Sequence, residues 1–166
     1  MSDHLNLFLV PSEPDFFPSE QSLDAFYSRL RRERLADVLG DVIGTGERLT
    51  EGGASHIRLD IPKEAVVWSN KQGGFRVSCP DCAEPLVREF GDGLNAWRSG
   101  KASRMVECKA CGACTPLEGL RFRPHAALGR VAIAIRNVGG CTLTPLCREI
   151  AENLLGEGFS VVMSRG

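Results

Sequence analysis

The sequence has no long apolar run, few aromatic residues and almost no net charge. Phe, Trp and Tyr together make up 7% of the 166 residues, and the formal net charge is −1. The apolar run at 7–10 ("LFLV") is far too short to span a membrane. It lacks the basic stretch and the small-residue cleavage site of a signal peptide. We therefore expect a cytoplasmic protein without membrane contact, in a compartment that keeps thiols reduced.

Recognisable catalytic motifs are missing as well. The three histidines His4, His56 and His125 fall in neither an H-E-x-x-H motif nor the zinc-deaminase pattern. The glycine-rich stretch at 44–55 lacks the signature of a phosphate-binding loop. No nucleophile–base pair or pair of acids stands at a known catalytic spacing. The sequence thus predicts neither an enzyme nor a small-molecule substrate, and an enzyme with an unrecognised pocket is the weakest of three alternatives.

The apolar content of 43% and the charged content of 25% are typical of one globular domain. Ser19 is a suitable N-cap for a helix that ends near Gly40, and Thr144 with Pro145 begins a second helix that Gly156 ends. Alternating or continuous apolar residues predict strands on either side of these helices. The predicted strands are 5–11, 55–61, 64–70, 129–138 and 159–164.

This order of elements predicts the fold class. Without the cysteine-containing segment 75–123, the chain reads as one β-α-β unit followed by another. Two such units form the ferredoxin-like (split βαβ) sandwich, which has two helices on one face of an antiparallel sheet. We therefore predict an α+β fold in which 1–74 and 124–166 form one domain. The segment 75–123 is then an inserted subdomain.

Two Cys-x-x-Cys pairs predict a metal site in that insertion. Cys79 and Cys82 are separated from Cys108 and Cys111 by 25 residues. Each pair can place two thiolates on one tight turn, and two such turns can surround a tetrahedral zinc ion. Around the turns we predict a strand at 85–90, a loop or helix near 93–100 and a strand at 103–107. The segment from about 75 to 121 resembles a zinc ribbon, which implies one structural Zn²⁺ per chain.

The other cysteines have competing interpretations. Cys114 extends the second pair to C-x-x-C-x-x-C, as at the start of a bacterial iron–sulfur motif. The rest of that motif is missing, so we place Cys114 outside the ligands as a potential substitute. Cys141 and Cys147 could form a redox pair. The apolar helix face around Cys147 instead favours a small buried side chain.

The near-zero net charge conceals an uneven distribution. Residues 1–70 contain 12 acids and 7 Lys or Arg, whereas residues 71–136 contain 6 acids and 11 Lys or Arg. Between the cysteine pairs, Arg98, Lys101 and Arg104 cluster near Trp97. This surface could bind nucleic acid through phosphates and a stacked base, or it could bind an acidic protein. Alternatively, Trp97 packs inside the insertion as its apolar anchor.

Further stretches accompany the cysteine pairs. They are the proline-rich "VPSEPDFFPS", the C-P-x-C turn, an intervening Trp, "CGACTPLEGL" with the pattern C-G-A-x-T-x-L, and "VAIAIRN" followed by "LLGEGFSVV". In these features nearly the whole chain resembles an uncharacterised family of small bacterial proteins. The resemblance implies no established activity and places Cys114 at a variable position. We predict a non-enzymatic zinc protein that acts as a binding or adaptor module for a protein partner, with nucleic-acid binding as the alternative.

Overall fold

The computed structural model describes residues 4–35, 48–54, 56–70, 74–101, 103–156 and 158–166. Within these residues the protein mixes three α-helices with antiparallel sheets. The helices are α1 (Glu20–Glu33), α2 (Val87–Arg98) and α3 (Pro145–Leu155). The strands are β1 (Leu5–Pro11), β2 (His56–Asp60), β3 (Val66–Ser69), β4 (Arg76–Ser78), β5 (Met105–Glu107), β6 (Cys114–Pro116), β7 (Arg121–Arg123), β8 (Ala126–Gly129), β9 (Ala132–Arg136) and β10 (Phe159–Arg165).

The largest sheet has four strands in the order β10-β1-β9-β2. Every neighbouring pair is antiparallel, and β1 lies in the centre, where Leu7 pairs with Met163 on one side and Ile135 on the other. The predicted strands at both ends of the chain therefore form this sheet. No helix in the described part of the chain is long and apolar enough to cross a membrane.

Helices α1 and α3 cover one face of the sheet and form the main core with it. The side chains that point to this face from the strands alternate along the chain, as expected for a half-buried sheet. Fully buried members of this core include Leu7, Leu9, Ile133, Ile135 and Ala151. Burial of this apolar surface is the main force that holds both helices in place.

The two helices begin as predicted, but α1 ends early. The Ser19 hydroxyl accepts a hydrogen bond from the Ser22 N–H at 3.1 Å, and the Thr144 hydroxyl accepts one from Cys147 at 3.2 Å. The predicted end of α1 near Gly40 is wrong, because Arg34 adopts a left-handed conformation with φ of 55° and the helix stops at Glu33. Gly40 itself lies outside the described residues.

The opposite face of the sheet packs against a small ladder of β3 and β8. Phe8, Val10 and Val162 from the large sheet meet Trp68 and Ala127 in a second apolar cluster. Both ladder strands lead directly into the cysteine-containing segment. The large sheet therefore separates the helices α1 and α3 from the segment that contains the four cysteines of the two pairs.

The cysteine-containing segment has its own apolar cluster around α2. Short ladders β4–β7 and β5–β6 flank this helix. The predicted strand at 85–90 is wrong, because Leu86, Phe90, Leu94 and Trp97 recur at helical spacing and are all buried on one face. The predicted returning strand is confirmed as β5, and helix α2 covers most of the predicted loop or helix near 93–100.

Candidate metal centre

The two Cys-x-x-Cys turns have the same backbone hydrogen bonds. In the first, the N–H of Cys79 donates to Glu84 O at 2.9 Å and the N–H of Ala83 donates to Cys79 O at 3.0 Å. In the second, the N–H of Cys108 donates to Ala113 O at 2.8 Å and that of Gly112 to Cys108 O at 2.7 Å. The two turns are therefore equivalent, which is the geometry predicted for a pair of metal-binding turns.

These turns bring together the four cysteines that the sequence predicted. The sulfurs of Cys79, Cys82, Cys108 and Cys111 all lie within 4.8 Å of one another. Between the turns, Cys79 Sγ is 3.7 Å from Cys111 Sγ, and Cys82 Sγ is 3.6 Å from Cys108 Sγ. Four sulfurs at ~2.3 Å from a central tetrahedral ion are about 3.8 Å apart. The cluster is therefore compatible with a single metal ion at its centre.

In both turns the first cysteine is buried and the second is exposed. Cys79 and Cys108 are buried, whereas Cys82 and Cys111 are exposed. The buried pair anchors the site to the apolar cluster around α2, which includes Val77, Val106 and Leu120. The exposed pair closes the site towards solvent, so an ion could enter without unfolding the core.

The electrostatics of the cluster favour a cation. Backbone N–H groups of Cys82 and Asp81 donate to the Cys79 sulfur and lower its pKa to about 7. The N–H of Glu84 acts in the same sense on Cys82, but burial and the three neighbouring cysteines outweigh it and raise the pKa of Cys82 to about 12. Four adjacent thiolates repel one another, and a divalent cation removes that cost.

The remaining cysteines lie outside this group. Cys114 is exposed on β6, where it pairs with Glu107 of β5. Cys147 is 1% exposed, and burial raises its pKa to about 12, so it is a small buried side chain as the helix pattern favoured. Cys141 is exposed, with its sulfur 3.1 Å from Met163 Sδ. All seven cysteines are free thiols.

The residues of the predicted basic surface divide into internal and exposed groups. Trp97 is 4% exposed and packs in the cluster around α2, so its ring faces neither solvent nor a base. Arg98 donates to Ala65 O at 2.6 Å. Lys101 is exposed. The structure thus places Trp97 as the apolar anchor of the cysteine-containing segment.

Trp97 and Arg104 instead belong to an ionic contact with the proline-rich loop after β1. We call this the Asp15 cluster; its members are Glu13, Asp15, Trp97, Arg104, Glu118 and Arg130. Trp97 Nε1 donates to Asp15 Oδ1 at 2.9 Å, and Arg104 pairs with Asp15 and also with Glu13 at 2.7 Å. The guanidiniums of Arg104 and Arg130 both lie over the Trp97 ring. Their central carbons are 5.7 Å and 5.2 Å from the ring centroid, respectively.

The Asp15 cluster joins the cysteine-containing segment to the main sheet. Burial raises the pKa of Asp15, but the Trp97 hydrogen bond and the guanidiniums of Arg104 and Arg130 outweigh it and hold the pKa below its ordinary value of 3.8. Sequence reasoning missed Glu13 and Asp15, because they precede their partners by more than 80 residues and no local pattern links them.

Ala83 and Gly112 occupy equivalent positions in the two turns, so exchanging alanine and glycine there should change the free energy of unfolding in opposite directions. Ala83 has a φ of 64° and Gly112 a φ of 76°, a region where a side chain costs roughly 1 kcal/mol. A Cβ at Gly112 would meet no atom within 4 Å, so only the backbone conformation matters there. We expect Ala83→Gly to raise the free energy of unfolding of the metal-loaded protein by about 0.5–1 kcal/mol. Gly112→Ala should lower it by about 1 kcal/mol, as measured by denaturant titration, and effects of equal sign would contradict this account.

We predict that removal of the Asp15 carboxylate lowers the free energy of unfolding. Asp15→Ala leaves the buried Trp97 N–H without its acceptor, so we expect a loss of about 1–2 kcal/mol in the free energy of unfolding. Asp24→Ala is the matched control, because Asp24 is exposed on α1, and we expect a change below about 0.5 kcal/mol. Metal content should stay the same in both variants. Equal stability of the two would show that the contact contributes nothing.

The chain matches no protein family, no curated protein and no solved structure with which it was compared. The resemblance to small bacterial proteins therefore stays a prediction. What can be proposed about function rests on the four-sulfur cluster and on the surfaces around it.

Proposed function

We propose that the four cysteines bind one zinc ion, and that this ion stabilises the cysteine-containing segment rather than performing chemistry. The observation that supports this most strongly is the agreement between the 3.6 and 3.7 Å sulfur–sulfur distances and the edge of a zinc–thiolate tetrahedron. All four coordination positions are filled by protein sulfurs. A catalytic zinc instead keeps a position open for water or substrate.

The ligand set favours zinc over the other candidates. Thiolates are soft ligands that select zinc or iron–sulfur clusters over magnesium and calcium. An iron–sulfur cluster places several iron and sulfide atoms between the cysteines and needs more room than one ion. The sulfurs here lie within 4.8 Å of one another, and Cys114, which would be needed for an iron–sulfur motif, is not in the group.

A structural role agrees with the small size of the surrounding core. The described part of the segment contains two ladders of three residue pairs each, one α-helix and one 3-10 turn. Such a unit buries little apolar surface, so the free energy of metal binding becomes folding free energy for it. Because the ligands must be thiolates, we also propose a reducing compartment, the cytoplasm, as the place of action.

We propose that the protein as a whole is a non-enzymatic binding or adaptor module with a protein partner. The closed ligand sphere supports this, because it leaves the metal without a reactive position. Val87 is 63% exposed and Met105 is 50% exposed, so the segment presents apolar side chains to solvent. Nucleic-acid binding through the 97–104 surface is less favoured, because Trp97 is buried and Arg104 is already paired with acids.

We further propose that the part outside 75–123 has the ferredoxin-like arrangement and that 75–123 is an insertion into it. The antiparallel order β10-β1-β9-β2, with α1 after β1 and α3 after β9, supports this assignment. In that arrangement the insertion leaves the domain after β3 and returns at β8. The ladder between these two strands then closes the insertion at its base.

The metal proposal predicts one zinc ion per chain by elemental analysis of the protein purified without added metal. Cys111→Ser should lose that ion and unfold the cysteine-containing segment, because three thiolates leave the sphere open. Cys114→Ser is the matched control: it removes a neighbouring exposed thiol and should keep one zinc ion. Visible absorption from iron, or loss of metal from the Cys114 variant alone, would contradict the proposed ligand set.

A further inference from the structure

A groove with a volume of about 360 Å³ lies on the outer face of the β4–β7 ladder, beside the first cysteine turn. Three of the residues that line it are arginines, and none of the lining residues described is an acid. We call it the arginine groove; it is lined by Arg76, Val77, Ser78, Ala83, Pro85, Val87, Arg121 and Arg123. Its volume falls in the range of small-ligand sites, and its lining has a single sign of charge.

The arginines are held close together by the register of the ladder. Arg76 is directly opposite Arg123, and Arg121 is opposite Ser78. Arg121 and Arg123 are two residues apart on one strand, so their side chains share a face about 7 Å apart. All three side chains are exposed. Like charges directly across a ladder are destabilising, so this placement costs stability unless an anion joins them.

These arginines differ from five others in the described residues that are paired with acids. Arg58, Arg98, Arg104, Arg130 and Arg136 each form an ion pair with a carboxylate. No ion pair with an acid among the described residues is formed by Arg76, Arg121 or Arg123. Arg121 does donate to the carbonyl of Pro80 at 3.1 Å, which fixes its guanidinium next to the cysteine turn.

The remaining wall of the groove adds further donors. It contains Val87, the first residue of the 12-residue helix α2, and the N-cap Leu86 makes no side-chain hydrogen bond to the helix. The apolar Leu86 side chain therefore offers the first N–H groups of α2 no acceptor, and the acid of this first turn is Glu89. A helix N-terminus without a capping side chain next to guanidiniums favours phosphate, which accepts from both.

We propose that the arginine groove binds the phosphate backbone of a nucleic-acid strand. Guanidinium groups bind phosphate through two parallel hydrogen bonds, and three of them line one groove here. Phe122 lies between Arg121 and Arg123 in sequence, but its ring packs inward against Phe75 and Phe90. No aromatic ring lines the described part of the groove. The protein therefore contacts the phosphates of the strand and not its bases.

This inference depends on the proposed function in one respect. The turn that contains Cys79 and Cys82 supplies Ala83 to the groove, so loss of the metal would deform the groove as well. Zinc content is therefore measured for every protein that is tested. A variant that keeps its zinc and loses binding then tests the groove alone.

The experiment measures fluorescence anisotropy of labelled single-stranded DNA and RNA of about 20 nucleotides with the zinc-loaded protein at several salt concentrations. With three phosphates neutralised, the slope of log K against log salt should be about −2, and unrelated base sequences should bind equally. The double variant Arg121→Gln/Arg123→Gln should reduce the slope to about −0.7 and weaken binding at least about tenfold at low salt.

Two further variants show where binding occurs. Arg148→Gln removes an exposed arginine on α3, and Lys101→Gln removes an exposed cation of the 97–104 surface. Both should bind like the unaltered protein. Three results would overturn the proposal: no salt-dependent binding at about 50 mM salt, an equal loss in the Arg148 or Lys101 variant, or polyglutamate binding as tightly as the oligonucleotides. The last result would identify an acidic protein as the occupant.

Discussion

Four cysteine sulfurs lie within 4.8 Å of one another, and their repulsion as thiolates is the constraint on which the cysteine-containing segment depends. Backbone N–H groups offset part of it, as they do at Cys79, where they lower the pKa to about 7. A cation bound between the sulfurs would offset the remainder. The first turn follows β4 and the second joins β5 to β6, so the ladders β4–β7 and β5–β6 lie next to this cluster. A single ion can therefore hold together elements whose own apolar core is small.

The Asp15 cluster connects the cysteine-containing segment to the rest of the described molecule. It joins the loop after β1 to Trp97 of α2 and to Arg104 just before β5. Each partner would be unfavourable if it were left alone: a half-buried guanidinium, a buried indole N–H and a carboxylate between them. Together they satisfy one another. Because Arg104 is paired with Glu13, Asp15 and Glu118, it is not a free cation of the 97–104 surface.

Local patterns in the sequence predicted the elements that are determined locally. The Cys-x-x-Cys spacing identified Cys79, Cys82, Cys108 and Cys111, because each pair makes its own turn. The N-cap residues Ser19 and Thr144 were likewise predicted from the local sequence. The first part of helix α2 was missed although Leu86, Phe90, Leu94 and Trp97 have helical spacing, since the short stretch "EPLVREF" also suits a strand. The Asp15 cluster and the facing arginines depend on chain pairing over long separations, which no single stretch encodes.

We propose that a metal ion, held by the four cysteines, maintains the segment around it. Hydrogen–deuterium exchange measured before and after removal of metal by a strong chelator tests this most directly. We expect the amides of β4, α2, β5, β6 and β7 to lose their protection, whereas those of β1, β9 and β10 in the main sheet keep theirs. Unchanged protection of the cysteine-containing segment after complete loss of metal would contradict the account.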